Sequence, residues 1–76
     1  MAEYDIVYKS PVGLKKDDYI MMNDHPCKIV GISCTPFLER KGYRKIHFVG
    51  IDIETGQKYE VLHRSNESVS VPLITD

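Results

Sequence analysis

Apolar residues along this chain come in short runs of β-branched and aromatic side chains, and no segment keeps a helical spacing for long. The pattern predicts strands over residues 4–9, 18–23, 27–33, 44–53, 58–63 and 68–71. The breaks between them have identifiable chemistry. Ser10-Pro11-Val12-Gly13 ends the first run, because proline lacks a ladder donor and glycine accepts unusual backbone angles. Asn23-Asp24-His25-Pro26 is rich in turn formers, and Glu54-Thr55-Gly56-Gln57 supplies a hairpin glycine. Arg64-Ser65-Asn66-Glu67 has no apolar anchor and reads as a loop. Short strands with tight connections predict an all-β barrel or small sandwich.

Two places depart from this regularity. In the run 44–53, Ile46 and Phe48 share one parity while Val49, Ile51 and Ile53 share the other, with the change at Gly50. A change of face at a glycine predicts a bulge or sharp bend, the device by which a small barrel turns a corner. On that reading Asp52 and Glu54, of opposite parity to Ile51 and Ile53, lie on the solvent face. The second departure is the connection 34–43, longer than the two to five residues of a tight hairpin. It carries Phe37, Leu38, Glu39, Arg40, Lys41 and Gly42, so charge and exposed apolar groups are mixed at its tip. A long loop in a small domain points to function, since its closure costs entropy.

Length and charge narrow the choices. At 76 residues the chain makes one domain, 1–76, which buries only about 60% of the surface of its unfolded form and has little room for a deep substrate cavity. The apolar runs are far shorter than the ~20 residues of a membrane-spanning helix, and the N-terminus lacks a basic start and apolar stretch, so a cytoplasmic protein is expected. The net charge of −1 implies nothing about nucleic acid. Its distribution does: residues 1–24 and 51–76 are acidic on balance, whereas 25–50 hold Lys28, Arg40, Lys41, Arg44 and Lys45 against Glu39 alone. Four of those five cations fall within 40–45, a local anion-binding patch.

Other chemistry is thin. Cys27 and Cys34 are the two cysteines, too few for the disulfide framework of a small secreted domain. Together with His25 and His47 they lack the spacing of a zinc site, so neither metal nor cofactor is expected, and they read as core thiols and surface histidines. There is no nucleophile elbow and no phosphate-binding glycine loop, and His47 reads as a structural residue facing away from the core. Met21 and Met22 read as filling the barrel and its rim. The chain is not expected to be an enzyme or to take a small-molecule substrate.

Several segments resemble a known family. Leu14-Lys15-Lys16-Asp17-Asp18-Tyr19-Ile20, His25-Pro26-Cys27-Lys28-Ile29-Val30, Lys45-Ile46-His47-Phe48-Val49-Gly50-Ile51-Asp52-Ile53, Thr55-Gly56-Gln57-Lys58-Tyr59-Glu60 and Val71-Pro72 are similar to the opening of eukaryotic and archaeal translation initiation factor 5A. The similarity runs from about Leu14 to the C-terminus, with roughly one inserted residue in the connection 34–43. It implies the family's N-terminal SH3-like barrel, of about six strands with one long basic hairpin loop. The family's following oligonucleotide-binding-type barrel is absent from these residues, so the chain is either a single-barrel relative or a fragment.

The resemblance fails where the family's chemistry lies. Its hairpin carries a lysine, set between a glycine and His-Gly-His, that is converted to hypusine and reaches toward the peptidyl-transferase centre of a stalled ribosome. Counting back from the matched Lys45-Ile46-His47, that position holds Arg40, with Glu39 for the preceding glycine and Lys41 and Tyr43 for the histidines. Aminobutyl transfer needs a primary amine, which arginine lacks. Lys41 has one, but it lies one position late and without the flanking glycine, and it is the residual candidate for modification. The resemblance therefore implies a translation-factor-like, non-catalytic module that contacts ribosome or RNA without hypusine. Arg40, Lys41, Arg44 and Lys45 would meet phosphates, and Phe37 and Tyr43 would stack on bases. The alternative is a structural role, binding a protein partner or self-associating. Fungal Woronin-body proteins, which look like the same family without its lysine motif, are the precedent. In that case Phe37 and Leu38 would form an apolar contact.

Overall fold

The computed structural model describes residues 4–35 and 42–74. It contains six strands: β1 (Ile6–Lys9), β2 (Tyr19–Met22), β3 (His25–Cys34), β4 (Lys45–Asp52), β5 (Lys58–Arg64) and β6 (Val69–Pro72). Each falls within two residues of the run that predicts it. Strands β2-β3-β4-β5 form an antiparallel sheet in that order, and β1 pairs antiparallel with β6. Strand β6 lies against β2, so the two sheets curl around one core. Among the described residues no helix is long and apolar enough to cross a membrane.

The connections follow from their residues. Ser10 caps a 3-10 turn at Pro11–Gly13, its hydroxyl accepting from the Val12 N–H at 3.3 Å, with proline at the first position where no donor is needed. Asn23 and Asp24 have φ of 50° and 65° and join Met22 to His25, a two-residue hairpin of the kind that matches strand twist. Pro26 is therefore in β3 rather than in the turn. Its carbonyl accepts from the Ile53 N–H at 3.0 Å, beyond the last β3–β4 register pair, Cys27 with Asp52. Gly56, with φ of 79°, supplies the left-handed residue of the β4–β5 turn.

The core is Ile20 and Met22 from β2, Cys27 and Ile29 from β3, Ile46 and Phe48 from β4, and Val69 and Val71 from β6. Met22 is fully inside, the packing role expected of it, whereas Met21 is half-buried and is not among the side chains packed against the core.

Strand β4 corrects the sequence reading in two ways. Its alternation does not change at Gly50: Ile46, Phe48, Gly50 and Asp52 are all buried, and the β4–β5 register runs without interruption from Lys45–Arg64 to Ile51–Lys58. Gly50 faces the core because a Cβ there would lie 2.6 Å from Met22 Cε and 3.0 Å from Cys27 Cβ. The irregularity is in β3, where the register shifts between Ile29 and Gly31. That shift leaves Val30 exposed and carries the inward parity from Cys27 and Ile29 to Ile32.

Asp52 is the second correction. It is 1% exposed rather than on the solvent face. Its Oδ1 accepts from the backbone N–H of Glu54 at 2.8 Å and of Thr55 at 3.4 Å, which fixes the β4–β5 turn. The Glu54 N–H holds the carboxyl below its ordinary value, with Thr55 and the nearby His25 adding to this and burial opposing it. His25 Nδ1 lies 3.1 Å from Oδ2 without hydrogen-bond alignment, and the His25 ring stacks on Tyr59 at 5.0 Å. A carboxyl whose folded pKa is lowered contributes stability that is complete above its unfolded value of 3.8 and is lost as pH falls through the folded value. Acid titration of thermal stability is therefore expected to show an acid-side loss that Asp52→Asn largely removes. An unchanged acid limb in Asp52→Asn would contradict this account of the turn.

Candidate functional site

The cationic connection leaves the sheet from a closed rung. Thr35 N–H donates to the Lys45 carbonyl at 2.9 Å, and Lys45 N–H donates to Thr35 Oγ1 at 3.0 Å. The Thr35 hydroxyl in turn donates to the Lys45 carbonyl at 3.2 Å. One residue earlier, Arg44 is tied to the β5–β6 turn: its N–H donates to Ser65 Oγ at 2.9 Å, and the Ser65 N–H donates to its carbonyl at 2.8 Å. The backbone at 43–45 is thus held on both sides, so side chains there project from a fixed platform rather than from a free loop.

Of the residues expected to form the site, Phe37, Arg40 and Lys41 lie outside the described residues, as does the proposed modification at Lys41. Tyr43, Arg44 and Lys45, consecutive in the sequence, are described and lie at the base of the β3–β4 hairpin. Tyr43 and Lys45 are half-buried and Arg44 is exposed. Lys45 shares the outer face of β4 with His47, Val49 and Ile51, since the intervening positions are buried.

A residue that the sequence reading missed completes this end. Arg64 stands directly opposite Lys45 in the β4–β5 register, and its Cζ lies 5.2 Å from the centroid of the Tyr43 ring. An exposed guanidinium over an aromatic face is stabilised by about 0.5–1 kcal/mol. The loop signal around residues 64–67 drew attention to turn chemistry and hid the cation. Only the register between two strands distant in sequence joins it to the site.

The histidines and thiols have ordinary roles. His47 faces outward, as expected, with Nε2 3.2 Å from Glu60 Oε1. His63 Nδ1 lies 3.5 Å from Glu67 Oε1, an atom that also accepts from the Arg64 backbone N–H. Cys27 is buried, which pushes its thiol up, helped by the Asp52 charge and opposed by a backbone hydrogen bond from Met22. Cys34 is exposed, so one of the two expected core thiols is at the surface. Among the described residues no group of three or more His, Cys, Asp or Glu side chains is placed to hold a metal. An open groove of about 430 Å³ runs between Lys9, Leu14, Asp18, Tyr19, Val71 and Leu73, and shares no residue with the cationic end.

Comparison with known proteins places this scaffold. Residues 8–67 match the family described as translation initiation factor 5A-like, N-terminal. The chain belongs to this family. It is 42% identical over 59 residues to eukaryotic translation initiation factor 5A of Spodoptera exigua, covering 78% of this chain and 36% of that protein. It is 39% identical over 61 residues to translation initiation factor 5A-1 of Saccharomyces cerevisiae, covering 80% of this chain and 38% of that one. Among solved structures, translation initiation factor 5A from Methanococcus jannaschii superposes with a TM-score of 0.84 at 31% identity, over 90% of this chain and 50% of that chain. A translation initiation factor 5A family protein from Naegleria fowleri gives 0.85 at 32%, over 96% and 50%. The fold is the family's N-terminal SH3-like domain, and the chain spans little more than a third of the length of these two sequence relatives.

Proposed function

We propose that this chain is a non-catalytic, translation-factor-like module that binds the ribosome or structured RNA through the cationic end of its β3–β4 hairpin, and that it does so without hypusine. The observation that carries this reading is the fixed backbone at 43–45, clamped by Thr35 and Ser65, which holds Tyr43 and Lys45 on one surface. Family membership supports a role in translation. Arg40 at the position of the family's lysine supports a mode of binding that depends on guanidinium and ammonium charge rather than on a modified amine.

The test is cosedimentation with purified ribosomes at low salt. Replacing Arg40, Lys41, Arg44 and Lys45 together with alanine is expected to weaken binding by roughly a hundredfold or more, because each cation that meets a phosphate contributes a counterion-release term. Equal binding by the quadruple variant and the wild type would sink the proposal. Association of the chain with itself that is independent of salt and abolished by Phe37→Ser or Leu38→Ser would instead support the structural alternative.

A further inference from the structure

Two cations face each other across β4 and β5, and among the described residues no acid pairs with either. Lys45 and Arg64 are register partners on the outer face, so their Cβ atoms are about 5 Å apart. Like charges placed directly opposite are unfavourable in a sheet. Neither the Lys45 ammonium nor the Arg64 guanidinium forms an ion pair among the described residues. Two carboxylates of β5 and the turn after it are committed elsewhere. Glu60 is on His47, and Glu67 is on His63 and the backbone N–H of Arg64. Elsewhere on this sheet a cation has its acid, Lys28 lying 3.6 Å from Asp17. The Tyr43 ring lies beneath the Arg64 guanidinium and limits its directions.

We infer that Lys45 and Arg64 form a clamp for one RNA phosphodiester group, with Tyr43 as the platform that orients the arginine. The geometry suits this ligand. A guanidinium offers parallel N–H donors to two phosphate oxygens, and an ammonium across the strand adds a point charge to the same group. A bound phosphate would also relieve the repulsion between the two cations. Because the guanidinium is planar and lies over a ring, a base next to that phosphate can continue the stack. The inference rests on the RNA-binding reading above and adds to it a residue from β5, outside the long hairpin.

Titration of labelled chain with purified ribosomes in about 0.1 M salt tests it. Arg64→Gln is expected to weaken binding roughly tenfold, the loss of one charge-assisted contact. Lys58→Gln, which removes a cation from the far end of the same face of β5, is expected to change binding less than about twofold. Tyr43→Ala combined with Arg64→Gln should bind about as well as Arg64→Gln alone, since the ring acts through the arginine. Wild-type affinity in Arg64→Gln, or equal losses in Arg64→Gln and Lys58→Gln, would overturn the clamp. If the hairpin quadruple variant still lost binding, the RNA reading would stand without the clamp. If that variant too bound like wild type, both would fall.

Discussion

Phe48→Ala is expected to cost about 3–5 kcal/mol of stability, the range for deleting a fully buried aromatic side chain. Phe48 is 0% exposed, sits at the middle of β4, and packs in the core shared by β2, β3 and β6. Its register partners are Ile32 and Val61, and its ring approaches His63 at 6.1 Å. A domain of 76 residues has roughly 4–11 kcal/mol in total, from the usual per-residue stability. Truncation here would therefore remove a large share of it. The melting temperature should fall by more than about 10 °C, and urea unfolding followed by circular dichroism should place the midpoint far below wild type. Phe48→Leu, which keeps most of the volume, should cost no more than about 1.5 kcal/mol. A loss below about 1 kcal/mol in Phe48→Ala would mean that the ring is not the centre of the core.

Gly50→Val should cost about 1–3 kcal/mol by overpacking, with the wild-type fold retained at low temperature. The cause is space. Gly50 is not among the residues with positive φ, and a Cβ built on it meets Met22 Cε at 2.6 Å and Cys27 Cβ at 3.0 Å. Shortening the nearer neighbour should therefore help. Measured together, Gly50→Ala and Met22→Val are expected to destabilise by about 1 kcal/mol less than the sum of the single changes. Additive costs would indicate that glycine is needed there for its backbone and not for the room it leaves.

This glycine explains what was legible in the sequence. Strand positions came through because turn chemistry marks their ends: Asn23-Asp24, Gly56 and the Ser10-Pro11 cap all act where their types suggest. The inward face of β4 did not, because two of its four buried positions are Gly50 and Asp52, and hydrophobic alternation cannot register either. Gly50 is inward since β2 places Met22 over it, a tertiary fact. Asp52 is inward since the N–H groups of Glu54 and Thr55 reach back to its carboxylate. The β3 irregularity, by contrast, was present in the parity of Cys27 and Ile29 against Ile32, a shift that runs through Val30. For the site, the cation run near residue 44 was visible in one dimension. Its complement, Arg64, needed the pairing of β4 with β5.

The central claim is that charge at one end of the β3–β4–β5 sheet carries the binding, and the salt dependence of ribosome affinity tests it most directly. Between about 50 and 200 mM salt, log affinity should fall linearly with log salt, with a slope of roughly −3 or steeper for four or more phosphate contacts. A slope near zero, with affinity undiminished across that range, would contradict it.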